Sequence, residues 1–133
     1  MTAYLLDTNH ASSLVTPGHA LILRMQYQQS LGDTFSICVP VLAEVLFGIG
    51  IAPRAEQNLA LWEPWEQSME CHVPDAADAR RAADLQISLR RRGRQLATVD
   101  ALIAIIALRY DLVLLTTDND FKAVPDLRQE SWR

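Results

Sequence analysis

The sequence predicts an α/β domain: a central, mainly parallel sheet of four to five strands with helices on both faces. Three observations carry that expectation. Short apolar runs of strand length alternate along the chain with longer helix-like stretches, the order that parallel strands joined by crossover helices require. The run Leu112–Leu115 is apolar at every position, as a strand buried on both faces must be. A chain of 133 residues with 50% hydrophobic content can bury one core and leaves little for a second, so residues 1–133 are read as a single domain.

The elements follow in order. Ala3–Leu6 is a short apolar strand. A helical stretch is expected from about Ala11 to Leu14, broken at Pro17-Gly18, and a second from about His19 to Ser30, stopped by the turn pair Gly32-Asp33. Phe35–Val39 reads as the second strand. Pro40, suited to a first helical turn, opens a helix through about Ile49, and Pro53 opens another through about Gln67. Glu70–Val73 is a short strand. Pro74-Asp75 opens a long helix to about Arg92, ended by Gly93. Thr98 is the expected N-cap of a helix reaching Tyr110. Leu112–Thr116 is the strongest strand, and Leu127–Glu130 a last edge strand. No internal repeat, low-complexity tract or linker interrupts this series.

Bulk properties narrow the class. No apolar run reaches the roughly 18 residues of a membrane span, and no basic stretch followed by an apolar one suggests a signal peptide, so a cytoplasmic protein with no membrane partner is expected. Cys38 and Cys71 lie in strand-like segments and read as buried free thiols, with a disulfide left open. Twelve basic and 16 acidic side chains give a net charge of −4. Four acids held by a cation would leave 12 of each sign, so net charge does not exclude a nucleic-acid partner.

Those four acids stand where a structural acid is least expected. Asp7 ends the run Tyr4-Leu5-Leu6, Glu44 lies within Val41–Phe47, Asp100 opens the apolar helix from Ala101 to Leu108, and Asp118 follows Leu112–Thr117. An unpaired buried carboxylate costs several kcal/mol, so four such positions suggest one shared partner, and a hard cation suits them all. Ligands of open α/β sheets bind beyond the C-terminal ends of strands, where Asp7 and Asp118 are expected. Asp100 joins that rim only if the chain geometry brings the start of its helix there. Glu44 has Pro40, Val41, Phe47 and Gly48 as helical neighbours, so it is expected to point into the body of the protein. Taken singly, Asp7 could form a turn with Asn9, Asp100 could answer the helix dipole, and Asp118 and Asp120 could be turn residues. Glu44 has the least comfortable structural explanation.

Four motifs in order, Leu6-Asp7-Thr8-Asn9, Ala43-Glu44-Val45-Leu46-Phe47-Gly48-Ile49, Val99-Asp100-Ala101-Leu102-Ile103-Ala104 and Leu114-Leu115-Thr116-Thr117-Asp118-Asn119-Asp120-Phe121, resemble the PIN-domain ribonucleases. The tail Phe121-Lys122-Ala123-Val124-Pro125-Asp126-Leu127 continues the likeness and Trp132 ends it. The VapC-type toxins of bacterial and archaeal toxin–antitoxin pairs are the nearest in kind. The resemblance implies a single PIN-like domain and Mg²⁺-dependent endoribonuclease activity, with Mn²⁺ as an alternative ion. It makes Asp7, Glu44, Asp100 and Asp118 the acidic quartet, with Asp118 and Asp120 competing for the last role. Thr8 or Asn9 would support Asp7, and Thr116 would support Asp118. The resemblance also implies a structured RNA target such as tRNA, a homodimer, and a small cognate antitoxin.

The chemistry suits these residues. Hydrolysis of a phosphodiester needs an activated water and charge stabilisation, which Mg²⁺ or Mn²⁺ supplies. Mg²⁺ typically takes one or two direct carboxylates; Asp7 and Asp100 are expected as those ligands, with Glu44 and Asp118 orienting water or completing a second site. No histidine has the setting of a general base: His10, His19 and His72 are scattered, and only His10 lies near an acid of the quartet. Arg90, Arg91, Arg92 and Arg94 are the one dense basic cluster and candidate RNA contacts, although cations at a helix C-terminus are favourable in themselves. Lys122 and Arg128 are weaker candidates. Trp62 and Trp65 read as core residues, and the surplus apolar residues of Leu21–Tyr27 and Val41–Ile51 leave room for an interface. Other readings are an RNA-processing nuclease without an antitoxin and, in a different class, a receiver-like Mg-binding signalling domain or a non-catalytic module. A receiver needs paired acids after its first strand, and Asp7 has no acidic neighbour.

Overall fold

A computed structural model describes residues 1–133. Five strands, β1 (Ala3–Leu6), β2 (Thr34–Cys38), β3 (Glu70–His72), β4 (Val113–Leu115) and β5 (Gln129–Glu130), form one sheet in the order β3-β2-β1-β4-β5. Every pairing is parallel, with Leu5 opposite Ser36 on one side and Leu114 on the other. The six helices that flank it are α1 (Thr8–Ala11), α2 (Ala20–Ser30), α3 (Val39–Ile51), α4 (Ala55–Ser68), α5 (Ala76–Arg91) and α6 (Thr98–Arg109). From β1 the chain moves outward to β2 and β3, then returns to place β4 on the other side of β1. The sheet therefore reverses its direction of growth between β1 and β4, and the crevice beyond the C-terminal ends of these two strands is where such sheets bind ligands.

The core follows from the apolar runs. Leu5 and Leu6 of β1, Leu114 and Leu115 of β4 and Ile37 of β2 are fully buried. Helix α6 is buried nearly all round, through Ala101 and Ile103–Ala107, which accounts for its having no polar face. On α4, Trp62 is fully buried and Trp65 packs against the core, as the sequence suggests. Each fully buried large apolar side chain contributes about 1.5–3 kcal/mol. The cysteines are free thiols, and burial pushes Cys38 up to about 12. No helix is long and apolar enough to cross a membrane.

Several local expectations are corrected. The first helix spans Thr8–Ala11 and passes into a 3₁₀ turn at Ser12–Val15, instead of running from Ala11 to Leu14. Asp7 caps it by accepting from the Thr8 N–H, and the hydroxyls of Ser12 and Ser13 donate back to the carbonyls of Thr8 and Asn9. The N-cap of α6 is Ala97, not Thr98, whose hydroxyl accepts from Gln86 Nε2 at 3.2 Å. Strand β2 ends at Cys38 because Val39 already belongs to α3, with Pro40 in its first turn. Asp75 and Asp78 form a reciprocal capping box at the start of α5.

Candidate metal centre

The switch point collects the acids. Asp7 follows β1 directly, and its N–H donates to the Leu115 carbonyl at 3.0 Å, which fixes it against the end of β4. Asp118 lies just past β4 and caps the 3₁₀ helix Asn119–Ala123 by accepting from the Asp120 N–H at 2.9 Å. Asp100 stands in the first turn of α6; only three residues separate that helix from β4, so it runs back along the sheet and brings its start to the same rim. Ligand oxygens of Asp100, Asp118 and Asp120 lie within 4.8 Å of one another. The sequence left Asp118 and Asp120 as alternatives; the short 3₁₀ helix brings both to Asp100.

Glu44 departs from expectation. It is exposed, not turned into the body of the protein, because the buried stripe of α3 is Val41, Val45 and Ile49. Its carboxylate accepts from the Thr8 hydroxyl at 2.9 Å, which holds it beside α1. Asp7 is buried and its two oxygens are unequally occupied. Oδ2 accepts from Thr116 Oγ1 at 2.7 Å and from Asn9 Nδ2 at 3.1 Å, whereas Oδ1 accepts only from the Thr8 N–H at 2.8 Å. A carboxylate has about four acceptor positions, so Oδ1 keeps one lone pair free for a further partner.

These hydrogen bonds belong to a longer chain that sequence reasoning missed. The backbone N–H of Trp132 donates to His10 Nε2 at 3.0 Å. His10 therefore carries its proton on Nδ1 and donates it to Asn9 Oδ1 at 2.7 Å. Burial, then the charges of Arg133 and His19, lowers His10 to about 4, in keeping with a neutral ring. Asn9 passes the order on to Asp7 and also accepts from the Thr117 N–H. Thr116 Oγ1 donates to Asp7 and accepts from the Asp118 N–H at 3.0 Å. Trp132 thus buttresses Asp7 through His10, 122 residues away in sequence, a separation no local pattern could reveal. Of the other histidines, His19 caps α2 and His72 stacks on Tyr110.

Electrostatics tie the five acids together. Burial, followed by the negative charges of Asp7, Asp118, Glu44 and Asp120, pushes the Asp100 carboxyl up to about 6. No lysine or arginine forms an ion pair with any of the five; the paired cations are Arg109, with Asp75 and Asp78, and Arg128, with Asp111. Acids that repel one another and make no ion pair fit a hard divalent cation, with Asp100, Asp118 and Asp120 as the set able to hold one. The basic cluster lies next to them: Arg90 and Arg94 share a cleft with Asp120. Arg91 does not line that cleft, and Arg128 is engaged by Asp111 at 2.6 Å.

Comparison with known proteins bears on the family and the fold. The PIN domain family model matches residues 4–127. A tRNA(fMet)-specific endonuclease VapC from Shigella flexneri is 28% identical over 133 residues, 99% of each chain. Ribonuclease VapC2 from Rickettsia felis is 25% identical over 130 residues, 97% of each. Among solved structures, VapBC2 from Rickettsia felis bound to a promoter DNA fragment superposes with a TM-score of 0.86 at 24% identity, covering 99% of this chain and 100% of that one.

Proposed function

The chain belongs to the PIN-domain family, and from that premise we propose that it is a metal-dependent endoribonuclease acting as the toxin of a toxin–antitoxin pair. The observation that carries the reading is the cluster of Asp100, Asp118 and Asp120 at the switch point of the sheet, free of ion pairs, with the charges of Asp7 and Glu44 acting on Asp100. A bound Mg²⁺ or Mn²⁺ would supply charge neutralisation at the phosphate and acidify water. Asp100, Asp118 and Asp120 would hold the ion. Asp7 would offer its free Oδ1 lone pair from the end of the neighbouring strand β1, and Glu44 is held beside α1 by the Thr8 hydroxyl. Thr116, Asn9 and Thr8 fix the orientation of Asp7 and Glu44, as outer hydrogen bonds do around metal ligands.

The relatives named as endonucleases support RNA as substrate, and tRNA as the first class to try. The test is cleavage of total cellular RNA by metal-stripped protein, with and without Mg²⁺ or Mn²⁺, beside an Asp100→Asn control. Discrete cuts that need the ion and Asp100 are expected, and their mapping identifies the target. Metal-independent cleavage, or full activity in the control, would sink the reading.

An antitoxin and a second copy of the chain are the proposed partners. Phe47 and Ile51 on α3 are 69% and 70% exposed, apolar area that a protein partner can cover. Growth arrest on expression, relieved by a short co-transcribed protein, separates the toxin from an RNA-processing nuclease of the same family. Light scattering of the purified chain reads the dimer.

A further inference from the structure

We propose that Arg90, Arg92, Arg94 and Lys122 form a track for the phosphates of a single-stranded RNA segment that runs beside the acidic centre. The inference rests on the nuclease reading and deepens it by saying how the substrate is seated.

Three clefts run side by side and share their cations. The first, about 450 Å³, holds Arg90 and Arg94 with Asp120. The second, about 410 Å³, is lined by Arg92, Arg94, Lys122 and Ala123. The third, about 470 Å³, contains Lys122 and Asp118 and no apolar side chain. Arg94 bridges the first two and Lys122 the last two, so the clefts form one path around the 3₁₀ helix that carries Asp120 and Lys122. The middle cleft contains three cations and no acid, in a chain of net charge −4.

None of these four cations is in an ion pair, although Asp120 shares a cleft with two of them. Opposite charges that close, yet unpaired, are arranged for different ligands: the acids for a cation and the basic groups for an anion. A phosphodiester strand meets both demands, with one phosphate at the metal and its neighbours on the cations. The backbone fixes this arrangement. Arg94 N–H donates to the Leu89 carbonyl and Gly93 N–H to the Arg90 carbonyl, with Gly93 at φ +74°, the hydrogen-bond pair that ends a helix and turns the chain back. Gln86 Nε2 then holds the Leu96 carbonyl at 2.9 Å, and buried Leu96 anchors the loop. A path that bends around a five-residue helix suits a flexible strand, whereas a DNA duplex is stiff over about 50 nm. The polar lining of the third cleft argues against an apolar protein segment.

Phosphate contacts set affinity and position without reading sequence. On single strands each neutralised phosphate contributes about 0.7 to the salt slope, roughly 2.6-fold in affinity between about 50 and 200 mM salt. The experiment measures binding of a short fluorescein-labelled single-stranded RNA of mixed sequence to the full chain carrying Asp100→Asn, in Mg²⁺, across that salt range. Cut sites are mapped in the otherwise unaltered enzyme. Arg94→Gln and Lys122→Gln are each expected to lower the slope by about 0.7 and weaken binding, with cut sites unchanged. Arg91→Gln, which lines none of the three clefts, leaves the slope as it was. Unchanged slopes beside intact metal-dependent cleavage would overturn the track and leave the nuclease reading standing. Absence of metal-dependent RNA cleavage by the unaltered chain removes both. Equal slope changes on duplex DNA, with no preference for single-stranded RNA, would assign the clefts to DNA and refute the proposal.

Discussion

Replacing Asp100 by Asn should stabilise the metal-free protein while destroying its cation site. The Asp100 carboxyl sits at about 6, against 3.8 for an ordinary aspartate, raised by burial and then by Asp7, Asp118, Glu44 and Asp120. A shift of two units corresponds to about 3 kcal/mol of penalty on the charged form. The side chain is only half-buried, and solvent screening reduces that to about 1–2 kcal/mol. Because the folded value lies above the unfolded one, the relative stability is fully present below about 3.8 and is lost as the pH rises through 6. The neutral amide escapes the loss. At pH 8 in EDTA the variant should therefore melt roughly 3–8 °C above the unaltered chain.

Calorimetry or thermal circular dichroism at several pH values checks this. The gap should close between pH 6 and pH 4, as Asp100 takes up its own proton. Magnesium should reverse the ranking, since ligand at about 100 times its Kd adds about 2.7 kcal/mol to a protein that binds it. Equal or lower melting of the variant at pH 8 in EDTA, or a gap independent of pH, would show that Asp100 is not held against its neighbours' charge.

Three further outcomes are expected. Thr116→Val leaves Asp7 Oδ2 and the Asp118 N–H without their shared hydroxyl; metal affinity should fall 10–100-fold and stability by about 1–3 kcal/mol, while Thr116→Ser restores both in titration and urea unfolding. His10 has a folded value near 4, below its unfolded 6.5, so it contributes stability above pH 6.5 that drains away as the pH falls toward 4. His10→Gln should flatten that part of the urea-midpoint profile; an unaltered profile would show that the ring titrates as if free. Gly93→Ala meets no atom within 4 Å but must hold φ at +74°; a loss of about 1 kcal/mol in urea unfolding is expected from the left-handed backbone alone, and a gain would contradict it.

Much of the fold was legible because its signals are local. The apolar runs located every strand to within one or two residues, and Pro40, Asp75 and Gly93 marked helix ends whose chemistry is short-range. Asp7 and Asp118 could be placed because strand ends of a parallel sheet share one rim. What failed depended on packing. The phase of α3 is set by which of its many apolar residues meet the core, and Val41, Val45 and Ile49 won, leaving Glu44 outside. Asp7 was read as a strand terminus when it also caps α1, so the helix began three residues early. The buttress from Trp132 through His10 and Asn9 joins distant residues by backbone and ring atoms, and neither carries a sequence signature.

Asp100 shows how the structure discriminates between explanations that the sequence leaves equal. An aspartate in the first turn of a helix can be there for the dipole alone, a benefit of about 0.3–1 kcal/mol that lowers its pKa. Here the carboxyl is raised instead, to about 6. Burial and four like charges raise it, and a favourable place at a helix start does not account for an acid set among other acids. Asn at this position would remove the repulsion. An ionised group kept against its surroundings, with ligand oxygens of Asp118 and Asp120 within 4.8 Å and no ion pair to answer it, makes physical sense when a cation from solution completes the site.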